Sequence, residues 1–173
     1  MIPLDRADIQ LLDALQRDGR ATNPVLGERV HLSASQVSRR IQRLEEAGLI
    51  DRCVMLLRPA RLGLTVIAYT RVSLERHGEA QNEDFNRAVQ LLPEVLECYS
   101  VTGPYDYLLR VVAADLAAFA QFMLHKPMRV PGVRGVESSV VLQEIKRTTE
   151  LPLEQARQPS PAVPAAARHS PAS

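Results

Sequence analysis

The chain has no tryptophan, only 4% aromatic residues and two cysteines, and neither charge is in clear excess, with 21 Lys and Arg set against 20 Asp and Glu. So few rings leave little material for aromatic cages or base-stacking platforms. A formal net charge of +1 argues against a polybasic chain that coats nucleic acid or anionic lipid regardless of sequence. Cys53 and Cys98 are far apart, with no CxxC and no neighbouring histidine, so neither a disulfide framework nor a zinc cluster is expected. No apolar run approaches the roughly 18 residues a membrane span needs, and the opening MIPLDRADIQ carries an early acid unlike a signal peptide. A cytoplasmic protein without membrane association is the resulting expectation.

Nucleotide-binding and hydrolytic signatures are missing too. GxGxxG, GxxxxGK[ST], HExxH and GxSxG do not occur, and His31, His77, His125 and His169 are scattered without a nearby nucleophile. No catalytic residue, cofactor or metal ligand is assigned. Asp106, beside a Gly-Pro turn, is the one acid that an enzymatic reading would have to use, paired with a further polar group across a dimer.

What the sequence does contain falls into three zones. Residues 1–60 are dense in charge and helical in period, 61–150 alternate strand and helix periods, and 151–173 form a Pro/Ala/Ser-rich tail expected to be disordered. In the first zone Asp5 can cap a helix with Ile9, Leu12 and Leu15 on one stripe. Thr22 or Asn23 can start a second helix, with Pro24 in its first turn and Val25, Leu26 and Val30 as its apolar face. After a tight turn at His31-Leu32, Ser33 and Gln36 are spaced as a capping box for a third helix carrying Val37, Ile41 and Leu44. Two short helices joined in this way have the outline of a helix-turn-helix.

The third helix turns Ser35, Gln36, Ser38, Arg39, Arg40 and Arg43 away from its apolar stripe. Guanidinium forks, an amide and hydroxyls are the groups that read guanine and adenine edges and grip phosphates in a major groove. The alternative is a solvated face with these arginines paired to Glu45 and Glu46. Between positions 20 and 43 there are five arginines and a single glutamate, a local basic window inside a neutral chain. The segment LIDRCVMLLRP then offers a strand pair or an extended arm where a wing would stand, with Arg52 and Arg58 either on phosphates or solvated.

The second zone reads βαββαβ. Strands are predicted over 64–74, 95–101, 107–113 and 133–145. Helices are predicted over 83–92, carrying Phe85, Ala88, Val89 and Leu92, and from a cap at Asp115, carrying Leu116, Phe119, Ala120 and Met123. This is an α+β, ferredoxin-like arrangement whose sheet keeps one face bare, and a bare apolar face on so small a unit predicts a homodimer.

With these elements in place the sequence resembles the leucine-responsive regulator (Lrp/AsnC) family, the feast/famine transcription factors of bacteria and archaea. LDRADIQLLDALQRDGRATN, HLSASQVSRRIQRLEEAGLI, LLRPARLG, VLECYSVTGPYDYLLRV and PGVRGVESSVVLQEIKRTTELPL carry the likeness, in that order, over about residues 1–153. The resemblance implies a winged helix-turn-helix followed by a regulation-of-amino-acid-metabolism domain, a double-stranded DNA operator as partner, and an amino-acid effector. It also implies a homodimer that stacks into tetramers or octamers.

It places the effector region at the turn Thr102, Gly103, Pro104, Tyr105, Asp106 and Tyr107, with Tyr99, Asp106, Leu116, Ser139, Val140 and Val141 influencing the response. A glycine turn can offer N–H groups to a ligand carboxylate, and Asp106 either pairs with the ammonium or serves as a turn cap. For Tyr99 and Val141 the favoured reading is plain core packing. Pro104 departs from the acid that many relatives carry there, and SASQVSRR departs from the frequent Ser-Pro opening of the recognition helix. Two other readings stay open: an effector-independent architectural DNA-binding protein, and a metabolite-binding module acting on a protein partner.

Overall fold

The structure, a computed structural model, describes residues 2–75 and 79–153. The chain divides into two units, one formed by Met1–Met55 with Arg147–Ser173 and the other by Leu56–Lys146. From residue 154 onward the Pro/Ala/Ser-rich tail lies outside the described residues.

The first unit contains α1 (Arg6–Arg17), α2 (Asn23–Val30) and α3 (Ala34–Glu46). Asp5 and Asp8 cap α1 reciprocally: the Asp5 side chain accepts the Asp8 N–H at 2.8 Å, and the Asp8 side chain accepts the Asp5 N–H at 3.0 Å. Leu11, Ala14, Leu26, Val30, Val37 and Leu44 form the core. The expected stripe on α1 is rotated by one position. Asp8, Leu11 and Ala14 are the buried residues, while Ile9, Leu12 and Leu15 are half-buried, and Val25 of α2 is exposed. At α2 the cap residue Thr22 makes no side-chain bond, and Pro24 occupies the first turn where its missing N–H is harmless.

The α2–α3 turn depends on two backbone features. His31 takes the left-handed conformation at φ 56°, and Gly27 lies so close to the Leu32 carbonyl that a Cβ there would collide with it. The Leu32 N–H returns to the Gly27 carbonyl at 2.9 Å. Ser33 and Gln36 then form the expected capping box. After Gly48, residues 51–58 are an exposed segment without helix or strand, so the expected strand pair does not form among the described residues. Residues 147–153 return to α1, where Gln16 clamps the Leu151 backbone through both its N–H (2.8 Å) and carbonyl (3.0 Å), and Glu150 lies 3.4 Å from Arg17.

The second unit has the order β1 (Val66–Leu74), α4 (Glu79–Gln90), β2 (Val95–Ser100), β3 (Tyr107–Ala113), α5 (Leu116–His125), β4 (Val133–Val140). Its sheet runs β2-β3-β1-β4 with every pair antiparallel, the βαββαβ arrangement expected. Ala68, Val72 and Leu74 from β1 and Tyr107, Leu109, Val111 and Ala113 from β3 face Phe85 and Val89 of α4 and Phe119 and Phe122 of α5 in one core.

Five expectations are corrected. α4 runs Glu79–Gln90 instead of 83–92, and β2 ends at Ser100 instead of 101. β1 begins at Val66, because the Thr65 N–H and hydroxyl both turn to the Ala114 carbonyl. β4 ends at Val140, opposite Ala68; the Val141 N–H makes one further bond, to the Ile67 carbonyl at 2.8 Å, and Leu142 and Ile145 are solvent-exposed. On α5 the core stripe is Phe119, Phe122 and Met123, while Leu116 and Ala120 are exposed. The two phenylalanines bury the most apolar surface, and their spacing sets which side of the helix faces the sheet.

Candidate functional site

The outer face of α3 gathers Gln36, Arg39, Arg40 and Arg43 around a shallow groove of about 300 Å³. Ser35 and Ser38 stand exposed at its N-terminal end. The capping box fixes the start of this helix. The Gln36 N–H donates to Ser33 Oγ at 3.3 Å and its Oε1 accepts the Ser33 N–H at 2.9 Å, while its NH2 group has no protein partner among the described residues. Arg39 is exposed and likewise unpaired among the described residues.

Arg40 and Arg43 are differently placed. Arg40 Nη1 donates to Asp5 Oδ2 at 2.8 Å and to Asp8 Oδ1 at 2.6 Å, and Arg43 Nη2 donates to Asp8 Oδ2 at 2.5 Å. Neither meets Glu45 or Glu46; Glu46 instead accepts from Gln42 at 2.9 Å. The Asp8 N–H and the Arg40 guanidinium hold the Asp5 carboxyl below its ordinary value, and the two aspartates push the Arg40 guanidinium further up. Asp5 and Asp8 were not singled out as site residues from the sequence. The available signal was an acid, Asp8, three residues before Leu11 on the buried line of α1.

In the sheet unit the residues of the effector region fall into two groups. Thr102, Gly103, Pro104, Tyr105 and Asp106 form the β2–β3 turn, held to β1 by the Asp106 N–H on the Val72 carbonyl at 3.0 Å and by Asp106 Oδ2, which accepts the Leu74 N–H at 2.7 Å. The N–H groups of Thr102, Gly103 and Tyr105 have no partner among the described residues. Tyr99 sits beside this turn, 55% exposed, its register partner being Leu108. Ser139 and Val140 pair with Tyr69 and Ala68, at the other end of β1, and exposed Leu116 follows the end of β3 that pairs with Val66. Ala68 and Val72 are about 13 Å apart along a strand, and the Tyr105 side chain spans part of that distance to reach Glu137, two residues from Ser139 on β4.

A second cavity of about 200 Å³ is lined by Arg71, Ser73, Tyr105, Arg134 and Glu137, of which Tyr105 alone belongs to the sequence-based site. Glu137 accepts the Tyr105 hydroxyl at 2.8 Å and lies 3.4 Å from Arg71, which stacks 5.3 Å from the Tyr105 ring centre. The carboxylate on its hydroxyl pushes the Tyr105 pKa up. Among the described residues no group of three His, Cys, Asp or Glu side chains is placed to hold a metal, and no helix is long and apolar enough to cross a membrane.

Comparison with known proteins matches two family models in succession along the chain. Residues 4–51 match the winged helix-turn-helix DNA-binding model, and residues 67–151 match the Lrp/AsnC ligand binding domain. The leucine-responsive regulatory proteins of Escherichia coli strain K12 and Salmonella typhimurium are each 37% identical over 148 residues, 86% of this chain and 90% of theirs. A transcriptional regulator from Neisseria meningitidis, solved in complex with L-methionine, is 43% identical with a TM-score of 0.86, over 90% of this chain and 100% of that one. An AsnC family transcriptional regulator from Agrobacterium tumefaciens is 37% identical with a TM-score of 0.83, over 87% of this chain and 98% of that one.

Proposed function

Because the chain belongs to the Lrp/AsnC family of transcriptional regulators, we propose that α3 reads an operator in the major groove and that an amino acid bound at the sheet unit modulates this binding. Its relatives are regulators, not enzymes. The observation that carries the DNA reading is the outer face of α3. An unpaired guanidinium fork on Arg39 stands beside the open amide of Gln36 and the hydroxyls of Ser35 and Ser38, on a helix whose start is fixed by a capping box. An arginine fork suits guanine and a glutamine amide suits adenine. Arg40 and Arg43 wall the groove.

The test is Arg39→Ala, with affinity measured on a duplex selected from a random pool by the unsubstituted protein and on a scrambled duplex. Loss of a bidentate base contact costs about 1–3 kcal/mol, roughly a 5- to 150-fold drop on the selected duplex with relaxed choice at one base pair. Unchanged affinity and unchanged base preference would remove Arg39 from base reading.

For the effector, the open N–H groups of the Thr102–Gly103 turn suit a carboxylate. The turn lies beside Val72 and Leu74 of β1 and the Ser139–Val140 pair beside Tyr69 and Ala68, and a second copy of the chain would set one group against the other. This supports a homodimer or larger ring with the effector between copies. The methionine-bound relative supports an amino acid as the ligand class, with L-methionine the first compound to try. A melting-temperature scan over the twenty amino acids, with operator affinity measured for any that raises it, tests the proposal. No shift with any of them would favour an effector-independent regulator.

A further inference from the structure

Asp8 stands out as a buried acid enclosed by cations of the helix proposed above to read DNA. Its side chain is 1% exposed, and both oxygens are engaged, Oδ1 by Arg40 and Oδ2 by Arg43 and the Asp5 N–H. Asp5, at the mouth of the same cluster and 53% exposed, takes a second bond from Arg40. Two carboxylates from the start of α1 thus balance two guanidinium groups on α3. Burying a carboxylate is costly unless it is paired, and the cost falls to the protein with the pairs in place. The arginines are therefore held toward α1 by the need of a buried acid, and their charge is already answered before any phosphate arrives.

We propose that Asp8 is a positioning and specificity-determining residue: it holds Arg40 and Arg43 against α1, so that they shape the groove without gripping phosphates indiscriminately, and leaves Arg39 as the uncommitted fork. This inference rests on the assignment of α3 to DNA. It gives the neutral chain a reason for placing acids behind its recognition helix. Two unanswered guanidinium groups there would strengthen binding to any duplex, because each phosphate neutralised releases condensed counterions without regard to sequence. Selection among sites requires the charge-driven part to be kept small relative to the base-driven part.

The experiment measures affinity of the full chain for the selected and scrambled duplexes across a salt series, for Asp8→Asn and Asp5→Asn. Asparagine is as good a helix cap as aspartate, so Asp5→Asn keeps α1 capped and tests the idea even where Asp8→Asn fails to fold. For folded Asp8→Asn the expected result is tighter binding to scrambled DNA, by about eightfold at 0.1 M salt, with the log-log salt slope steeper by about 0.9. The preference for the selected duplex falls. Asp5→Asn moves the same way by a smaller amount, and adding Arg43→Gln to Asp8→Asn restores the original slope. A purely structural role for Asp8 predicts the opposite sign, weaker binding to both duplexes. Asp13→Asn, which frees Arg17 on α1 from its 3.0 Å partner, controls for overall charge and should leave the slope unchanged.

An unchanged or shallower slope in folded Asp8→Asn overturns the inference, as does an unchanged slope in Asp5→Asn when Asp8→Asn does not fold. An Asp13→Asn effect equal to that of Asp8→Asn overturns it as well. If the unsubstituted protein retains neither duplex, the DNA assignment itself fails, a result separate from these.

Discussion

Gly27→Ala is a substitution whose sign separates helix propensity from the packing of the α2–α3 turn. On propensity alone, alanine inside α2 would stabilise the chain by about 0.5–1 kcal/mol. The structure predicts the reverse. A Cβ at this position meets the backbone oxygen of Leu32, an atom that cannot swing aside as the end of a side chain can. Moving Leu32 means stretching its 2.9 Å N–H bond to the Gly27 carbonyl, disturbing the left-handed His31 and shifting Ser33, which caps α3.

Overpacking of this kind costs about 1–3 kcal/mol, and the lost hydrogen bond adds about 0.5–1.5 kcal/mol. After subtracting the propensity gain, Gly27→Ala should destabilise the first unit by about 1–3 kcal/mol. Urea unfolding followed by far-UV circular dichroism reads this as an earlier loss of the helix-rich unit. Because the clash displaces the start of α3, affinity for the selected duplex should fall at temperatures where the unit is still folded. A Gly27→Ala protein as stable as the parent, with unchanged DNA affinity, would refute the claim that this close approach sets the angle of the recognition helix.

Other outcomes follow from single features of the structure. His31→Gly relieves a left-handed residue at φ 56° and should raise stability by about 1 kcal/mol in the same urea assay. Burial pushes the Cys98 thiol up to about 11, so at pH 8 roughly one thiol in a thousand is ionised; a thiol reagent should label exposed Cys53 and leave Cys98 until the chain unfolds. The Asp5 carboxyl is held down by the Asp8 N–H and Arg40; at Glu94 burial works against ionisation but is outweighed by the Lys126 ammonium 2.5 Å away. Depressed carboxyls contribute stability that is present above their unfolded pKa values and lost as pH falls through the folded ones. Melting temperature should therefore hold near neutrality and drop below about pH 4, and Lys126→Met should flatten part of that drop.

The order of elements was readable because each left a local mark. Asp5, Ser33-Gln36 and Asp115 cap the helices they were expected to cap, and β3 spans Tyr107–Ala113 as its alternation requires. Where the reading slipped, the deciding contact came from elsewhere in the chain. The start of β1 is set by Thr65 turning its N–H and hydroxyl to the Ala114 carbonyl, a partner that no window around residue 65 contains. The stripes on α1 and α5 are turned because Asp8 and the two phenylalanines of α5 find partners on other elements, and a helical period fixes spacing more firmly than phase.

The site was less legible than the fold, and its charge shows why. Counting from 20 to 43 gives five arginines against one acid, which looks like a basic binding face. Extending the count over residues 2–46, the whole three-helix segment, gives seven arginines against seven acids. The acids lie mostly on and around α1, and the fold returns two of them, Asp5 and Asp8, to the arginines of α3. A helical wheel shows which way an arginine faces but not whether its charge is already met. Three basic residues on one helix therefore amount to one uncommitted fork, Arg39, and two that have been answered by buried or half-exposed acids. For a protein that must leave most DNA alone, that apportioning matters more than the number of arginines, since unanswered charge raises affinity for every duplex alike while a placed fork raises it for a few.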